Sequence, residues 1–573
     1  MQMRTYRIAM AAACVALLGC AQPAAAQSSQ QRSNPGESFQ QFRQKMLDDY
    51  QQFRGRILDH YADFLEGTWH EYESQQAERR DDTPKPKSVP SISGADAGTI
   101  SDKEIPTPGK LPSRLPGGTK MPNLKTKLPH GMQAPGPGRK PQPKPTPAPA
   151  PAPKPEPTPE PAPDPTPAPA PKPEPKPTPA PAPAPTPKPE PKPAPAPTPA
   201  PAPAPAPTAT GDRFKFYDME FVVPTTSLRV ADLGDAPAQI AALWRSLDSQ
   251  PEAKKLVKDL SSLRSQYNLN GYLTLKAVEA YVHDRFSSLS ENARMTLIFY
   301  LLNNLGYDVR LGKINSRHNA LLVPYDERIY GQAFWNIGDK RYYVVAPPSV
   351  DMSDRAGILI STCDLPPLGE KGDNLSVKIS DLKLPYRAEK FDKSYGSLHL
   401  TGEVNGNLRE VLRHYPLMDM DAYAASVIDP SMRRNLVEQV RSQLGEKDKK
   451  DAVNALLRFT QRAFDYATDD ESHGYEKPYF LEENFLYPKN DCEDRAIFYT
   501  YLLWNGLGVN CQLLRYPGHE AASVSLDSEL NGCHYDYEGR KFYISDPTYV
   551  GSRTGQCMPD FETVAPIVEY YYR

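Results

Sequence analysis

Between Pro135 and Pro207 the chain alternates proline with Ala, Thr, Lys and Glu. Proline fixes φ, removes a backbone donor and disfavours the α region in the residue before it. Such a tract builds neither helix nor sheet ladder, and it predicts disordered polyproline II, roughly 200 Å long if straight at ~3.1 Å per residue. With 64 prolines in 573 residues, less of the chain is globular than its length suggests. The tract reads as a spacer inside a Pro-rich linker over 81–210. The competing reading, a ligand for proline-binding grooves, lacks distinctive arginine anchors. The net charge is -3, and lysines alternate with glutamates, as at Lys154 and Glu156. No basic surface is built, which excludes nucleic acid as a partner.

At the start, Arg4 and Arg7 precede an apolar run from Ile8 to Leu18, too short for a membrane-spanning helix and suited to a secretory signal. Leu17-Leu18-Gly19-Cys20 resembles the lipobox of bacterial lipoproteins. That resemblance implies a signal peptide over 1–19, lipidation of Cys20 and a membrane anchor of two or more acyl chains. Plain secretion by cleavage after Ala24–Ala26 is the alternative. Both place the protein in the bacterial cell envelope, at the outer membrane facing either periplasm or surface. A polar tether over 20–35 leads to Phe39, Phe42, Met46, Tyr50, Phe53, Ile57, Tyr61, Phe64 and Trp69, which recur mostly at three- and four-residue steps. The period predicts a long amphipathic helix over 36–80. Its stripe calls for a coiled-coil or docking partner, and the mixed charges on its other face argue against a helix lying on lipid.

Residues 211–573 contain one unit twice. Ser290–Gly306 aligns without gaps on Cys492–Gly508, matching Glu291 with Glu493, Leu301 with Leu503, Asn303 with Asn505 and Leu305-Gly306 with Leu507-Gly508. The order continues downstream, with His318 matching His519 and Ala346 matching Asp546, and a comparable amphipathic helix lies upstream of each unit. Each unit reads as helices followed by strands, an α+β fold, with copies at 211–375 and 431–573 joined by a β-rich segment at 376–430.

Asn490-Asp491-Cys492-Glu493 has the form of a capping box, with Asn490 as N-cap and Glu493 three residues on, and Ser288 to Glu291 repeats it. Cys492 is then the second helical residue, where free amides and the helix dipole favour a thiolate. The acids at 491, 493 and 494 oppose that shift, so a second cation is required. His519 opens a predicted strand and Asp546 follows another, at equal intervals along the chain. Cysteine as nucleophile, histidine as base and aspartate as the group that orients the imidazole form the set that thiol chemistry requires. The first copy has Ser290 and Ala346 at the matching positions and reads as degenerate.

The run DCEDRAIFYTYLLWNGLGV, followed by YPGHEAASVSL and YEGRKFYISDPTY, resembles the transglutaminase-like superfamily of the papain-like fold. The resemblance covers Asn490 to Pro559 and the upstream helices. It implies a transglutaminase-like module in two copies and a catalytic triad of Cys492, His519 and Asp546 working without a cofactor. The DCED form is similar to bacterial transglutaminase-like cysteine peptidases, which implies a hydrolase of peptide or isopeptide bonds acting on envelope proteins or peptides. Two alternatives stay open: a non-catalytic peptide or glycan binding module, and a cross-linking or deamidating transglutaminase. Some such peptidases bind calcium through acids flanking the cysteine, which would implicate Asp491 and Glu493, although helix capping accounts for both. The insertion over 470–490 brings aromatics suited to walling a cleft. With Cys492 reserved for chemistry, Cys363, Cys511, Cys533 and Cys557 are an even number in a disulfide-permissive compartment, with pairing open.

Overall fold

Two antiparallel sheets with identical strand order organise the protein in its computed structural model. The structure describes residues 45, 61–80, 85, 91, 211–352, 358–364 and 373–572. The signal segment, Cys20, the tether, most of the expected long helix and almost all of the Pro-rich linker lie outside the described residues. All described residues belong to one compact unit, Met1–Met121 with Thr208–Arg573. Among them no helix is long and apolar enough to cross a membrane.

In chain order the elements begin with α1 (Tyr61–Glu66), β1 (Trp69–Glu73), the hairpin β2 (Asp212–Phe216) and β3 (Met219–Val223), and helices α2 (Pro237–Asp248), α3 (Pro251–Tyr267), α4 (Gly271–Arg285) and α5 (Glu291–Asn304). Strands β4 (Arg310–Ile314), β5 (His318–Val323), β6 (Phe334–Ile337), β7 (Lys340–Val345) and β8 (Leu359–Cys363) complete the first half. The joining segment holds the hairpin β9 (Ala388–Tyr395) and β10 (Leu398–Asn405), then α6 (Leu408–Arg413) and α7 (Met420–Ala425). The second half has α8 (Pro430–Leu444), α9 (Lys449–Arg462), β11 (Asp465–Tyr466), α10 (Asp469–Ser472), β12 (Lys489–Asn490) and α11 (Cys492–Leu507). It closes with β13 (Asn510–Tyr516), β14 (His519–Ser525), β15 (His534–Tyr537), β16 (Arg540–Ile544) and β17 (Ile567–Tyr572).

The first sheet runs β1-β8-β4-β5-β7-β6 and the second runs β17-β13-β14-β16-β15, so apart from β1 the two have the same connectivity. The fold is α+β in both halves. The registers correspond as well, with Ile314 opposite His318 in one hairpin and Tyr516 opposite His519 in the other. Each sheet packs on a helix buried nearly all round, α5 and α11, which is why neither helix shows the one-sided polarity of a surface helix. Gly508 ends α11 at φ 65°, its amide on the Trp504 carbonyl and the Val509 amide on that of Leu503, a left-handed cap that a side chain would strain.

The expected helix over 36–80 is corrected where it can be followed. It ends at Glu66 before Gly67, and Trp69–Glu73 form β1, paired with β8 from Trp69 opposite Cys363 to Glu73 opposite Leu359. Glycine lowers helix propensity, and an open sheet edge offers the following residues a full ladder of hydrogen bonds. The apolar stripe of α1 docks on the first half: the Tyr61 ring stacks on Trp244 at 4.5 Å and meets Phe299 edge-on at 5.7 Å. Within the expected linker only Lys85 and Ser91 are described, and both contact the second half, Lys85 at Asp491 and Ser91 at Val550.

Candidate active site

Cys492 opens α11 as its first helical residue. The expected cap at Asn490 is displaced by one position: Asp491, extended at φ -117°, is the N-cap, and its amide donates to Asp494 Oδ2 at 3.1 Å. Glu493 is thereby left free of capping. In the first half Ser290, not Ser288, caps α5, its hydroxyl accepting from the Ala293 amide at 3.3 Å.

The three predicted site residues are all buried, with Cys492 at 0%, His519 at 3% and Asp546 at 2% exposure, and His519 and Asp546 are directly paired. His519 sits at the first position of β14, and its Nε2 is 2.8 Å from Asp546 Oδ2. The other oxygen of Asp546 accepts from the amides of Thr548 at 2.8 Å and Tyr549 at 3.2 Å, so the carboxylate is fixed from both sides. Phe561 lies parallel to the imidazole at 5.4 Å. The Nδ1 of His519 is buried and without a hydrogen-bond partner. The amide of the next residue, Glu520, hydrogen-bonds the Cys492 sulfur, which puts the start of β14 against the thiol.

The thiol itself donates to Glu493 Oε2 at 3.1 Å. Burial first, then the charges of Glu493 and Asp491, push its pKa well above the ordinary thiol value, outweighing the lowering by Lys85 and the Glu520 amide. The expected thiolate is therefore corrected: in this arrangement Cys492 is a protonated thiol.

A cation does stand among these acids, Lys85, far away in sequence, and it is spent on their carboxylates. Its ammonium lies 3.0 Å from Asp491, 3.0 Å from Glu476 and 3.5 Å from Asp469, and it also bonds Glu493. Burial pulls the Lys85 pKa down, but Glu493, Asp491 and Asp469 more than reverse this and keep it charged. Burial likewise opposes ionisation of Glu493, yet Lys85, with hydrogen bonds from Asp491, Lys85 and Cys492, holds that carboxyl at about 2. Asp491 is pushed up by burial and by Glu493, and its Oδ1 has no partner. Asp469, Glu476, Asp491 and Glu493 offer hard oxygen donors, which by type suit a divalent cation such as calcium. The position such an ion would take is held by the Lys85 ammonium, so an ion enters only when Lys85 leaves.

Other residues beyond the predicted set build the site. Gln461 of α9 donates to the carbonyls of Asp546 at 3.1 Å and Tyr549 at 2.8 Å and accepts from the Gly551 amide, which fixes the turn that carries Asp546. Arg80 joins Glu520 at 2.5 Å and Glu569 at 2.8 Å. The 470–490 insertion is pinned by the buried pair Arg433–Glu482, 2.7 and 2.9 Å, and by Lys477–Glu483. Its aromatics line a cavity of about 200 Å³ with His473, Tyr479 and Tyr487. All five cysteines among the described residues are free thiols, and Cys533 and Cys557 hydrogen-bond each other.

The matching place in the first half holds no such set. Ser290 donates to Asp232 at 2.6 Å, and Ala346 offers no carboxylate after β7.

No protein-family model matches the chain, and no curated protein matches it at a significant level.

Proposed function

We propose that the protein is a cell-envelope cysteine hydrolase of transglutaminase-like type, cutting peptide or isopeptide amide bonds with Cys492, His519 and Asp546. In this reading the first half is a degenerate copy of the module. The observation that carries the proposal is the state of His519: Asp546 holds Nε2 at 2.8 Å, and Nδ1 is left buried, without a partner, beside the residue whose amide touches the thiol. A buried polar nitrogen without a partner costs roughly 1–3 kcal/mol. A proton-accepting role toward sulfur gives that cost a purpose.

In the reaction, Nδ1 takes the proton from Cys492 and the sulfur attacks the carbonyl carbon. The C–N bond breaks as the amine receives that proton from the imidazolium. Water, deprotonated by the same imidazole, then cleaves the thioester and returns the thiol. Asp546 keeps the ring in position throughout. The substrate class is protein or peptide. The test is incubation of the full chain and of Cys492→Ala with envelope protein extract, read by mass spectrometry. New termini or released isopeptide-linked peptides with the unsubstituted chain alone support hydrolysis, and identical profiles defeat it.

A second reading, a peptide or glycan binding module with an inert thiol, is favoured by the 0% exposure of Cys492 and its raised pKa. Cross-linking or deamidation would use the same thioester with a different acceptor. The envelope location rests on residues 1–20, and retention of Cys20→Ala in the membrane fraction would remove the lipid anchor.

A further inference from the structure

Three described residues close together in sequence reach residues next to His519, on either side of Cys492 and four positions past Asp546. Arg80 binds Glu520, next to His519. Lys85 binds Asp491 and Glu493, on either side of Cys492. Ser91 forms a parallel bridge with Val550, four residues past Asp546. Upstream, the same stretch is secured to the first half, where Gln75 bonds the Phe334 carbonyl at 2.7 Å and Glu78 takes both nitrogens of Arg341 at 2.9 and 3.0 Å. A helix-capping role for Glu493 is absent, and its two oxygens serve the thiol and the ammonium.

We propose that Asp469, Glu476, Asp491 and Glu493 form the subsite for a cationic side chain of an extended peptide substrate, and that Lys85, flanked by the contacts of Arg80 and Ser91, occupies that subsite as a resident mimic of the substrate side chain. The proposal rests on the hydrolase reading of the same site. Charge complementarity argues for it: four carboxylates converge where one ammonium sits, Lys85 is enclosed to 16% side-chain exposure, and Asp491 still keeps a buried oxygen without a partner. The contacts also follow the order Arg80, Lys85, Ser91 from the histidine side past the cysteine to the aspartate side. Pro84 and Pro86 bracket Lys85 in the sequence, so the Lys85–Pro86 bond is a tertiary amide with no N–H to engage the cleft. An occupant of that kind fills the subsite without being a good substrate.

The test uses the full chain with Cys492→Ala and a fluorescein-labelled peptide, Thr-Pro-Lys-Pro-Gly amide, followed by anisotropy. Adding Arg80→Ala and Lys85→Ala should tighten peptide binding at least about ten-fold, and a norleucine-for-lysine peptide should gain nothing. Equal affinity with and without the two substitutions, or an equal gain for norleucine, overturns the proposal. Should the double variant fail to melt cooperatively, amide exchange on the Cys492→Ala chain decides: millimolar lysine peptide should speed exchange at Arg80, Lys85 and Ser91, and unchanged protection there overturns the proposal. The hydrolase reading is scored apart, by cleavage with Cys492 intact. Tightened lysine-specific binding without cleavage removes the hydrolase and keeps the subsite. Cleavage indifferent to lysine removes the subsite and keeps the hydrolase.

Discussion

The sulfur of Cys492 donates to Glu493, one residue along its own helix, at 3.1 Å, while His519 Nδ1 has no hydrogen bond at all. The nucleophile thus rests on an acid that opposes its ionisation. Alkylation of Cys492 by iodoacetamide should be slow at pH 7 and climb with pH beyond the range of a free thiol. Glu493→Gln removes the adjacent negative charge and leaves Lys85 to act on the sulfur alone, so its alkylation at pH 8 should be several-fold faster. Rate constants from mass spectrometry across pH check this, and an unchanged profile would mean that burial alone sets the thiol.

Turnover should treat the two halves differently. Cys492→Ala and His519→Ala should each lower it by about a thousand-fold or more, and Asp546→Ala strongly, with a triple variant little worse than the worst single one because the groups act as a unit. Ser290→Ala and His318→Ala should keep most of it, since Ser290 is engaged with Asp232 and has no base. Initial rates on a cleaved peptide measure all six variants, and comparable losses in both halves would reassign the chemistry.

His473 supplies a pH signature of the insertion. Burial, then the charges of Lys477 and Arg413, lower its pKa from 6.5 to about 4. Between those values the unfolded chain binds a proton that the folded chain refuses, so stability is lost as pH falls through 6.5 toward 4. His473→Gln should therefore narrow the gap in Tm between pH 8 and pH 5. Differential scanning calorimetry at the two pH values reads the change, and an identical gap would contradict it.

Cys533 and Cys557 are hydrogen-bonded thiols in a small core with Tyr516, Tyr535 and Phe542 on the far face of the second sheet. Mild oxidation with diamide should link these two and raise Tm, while Cys363 and Cys511, buried elsewhere, stay free. Peptide mapping under non-reducing conditions identifies the pair, and any other pairing would overturn the assignment.

What the sequence made legible was local or repeated. The Leu-Gly ends of the two central helices, the histidines that open β5 and β14 and the aspartate after β16 were readable because each follows from a nearby pattern of burial or capping. The cap itself was misplaced because NDCE and DCED both satisfy the same spacing, and only backbone geometry chose Asp491 with Asp494. In β1 the helical period of the preceding stripe masked the alternation of Trp69–Glu73, which the edge of β8 then claimed. Lys85 and Arg80 were illegible, since their partners lie more than 380 residues away and nothing in a lysine between two prolines announces a buried ion pair.

The placement of β1 and of Ser91 changes what a cut in the proline tract would do. Strand β1 joins the first sheet, Ser91 reaches Val550, and the chain re-enters the same unit at 211. The described residues on the two sides of the tract therefore belong to one body. A protease that nicks it between 92 and 207 should therefore yield two polypeptides that still travel as one particle, parting when α1, β1, Arg80 and Lys85 all release their partners.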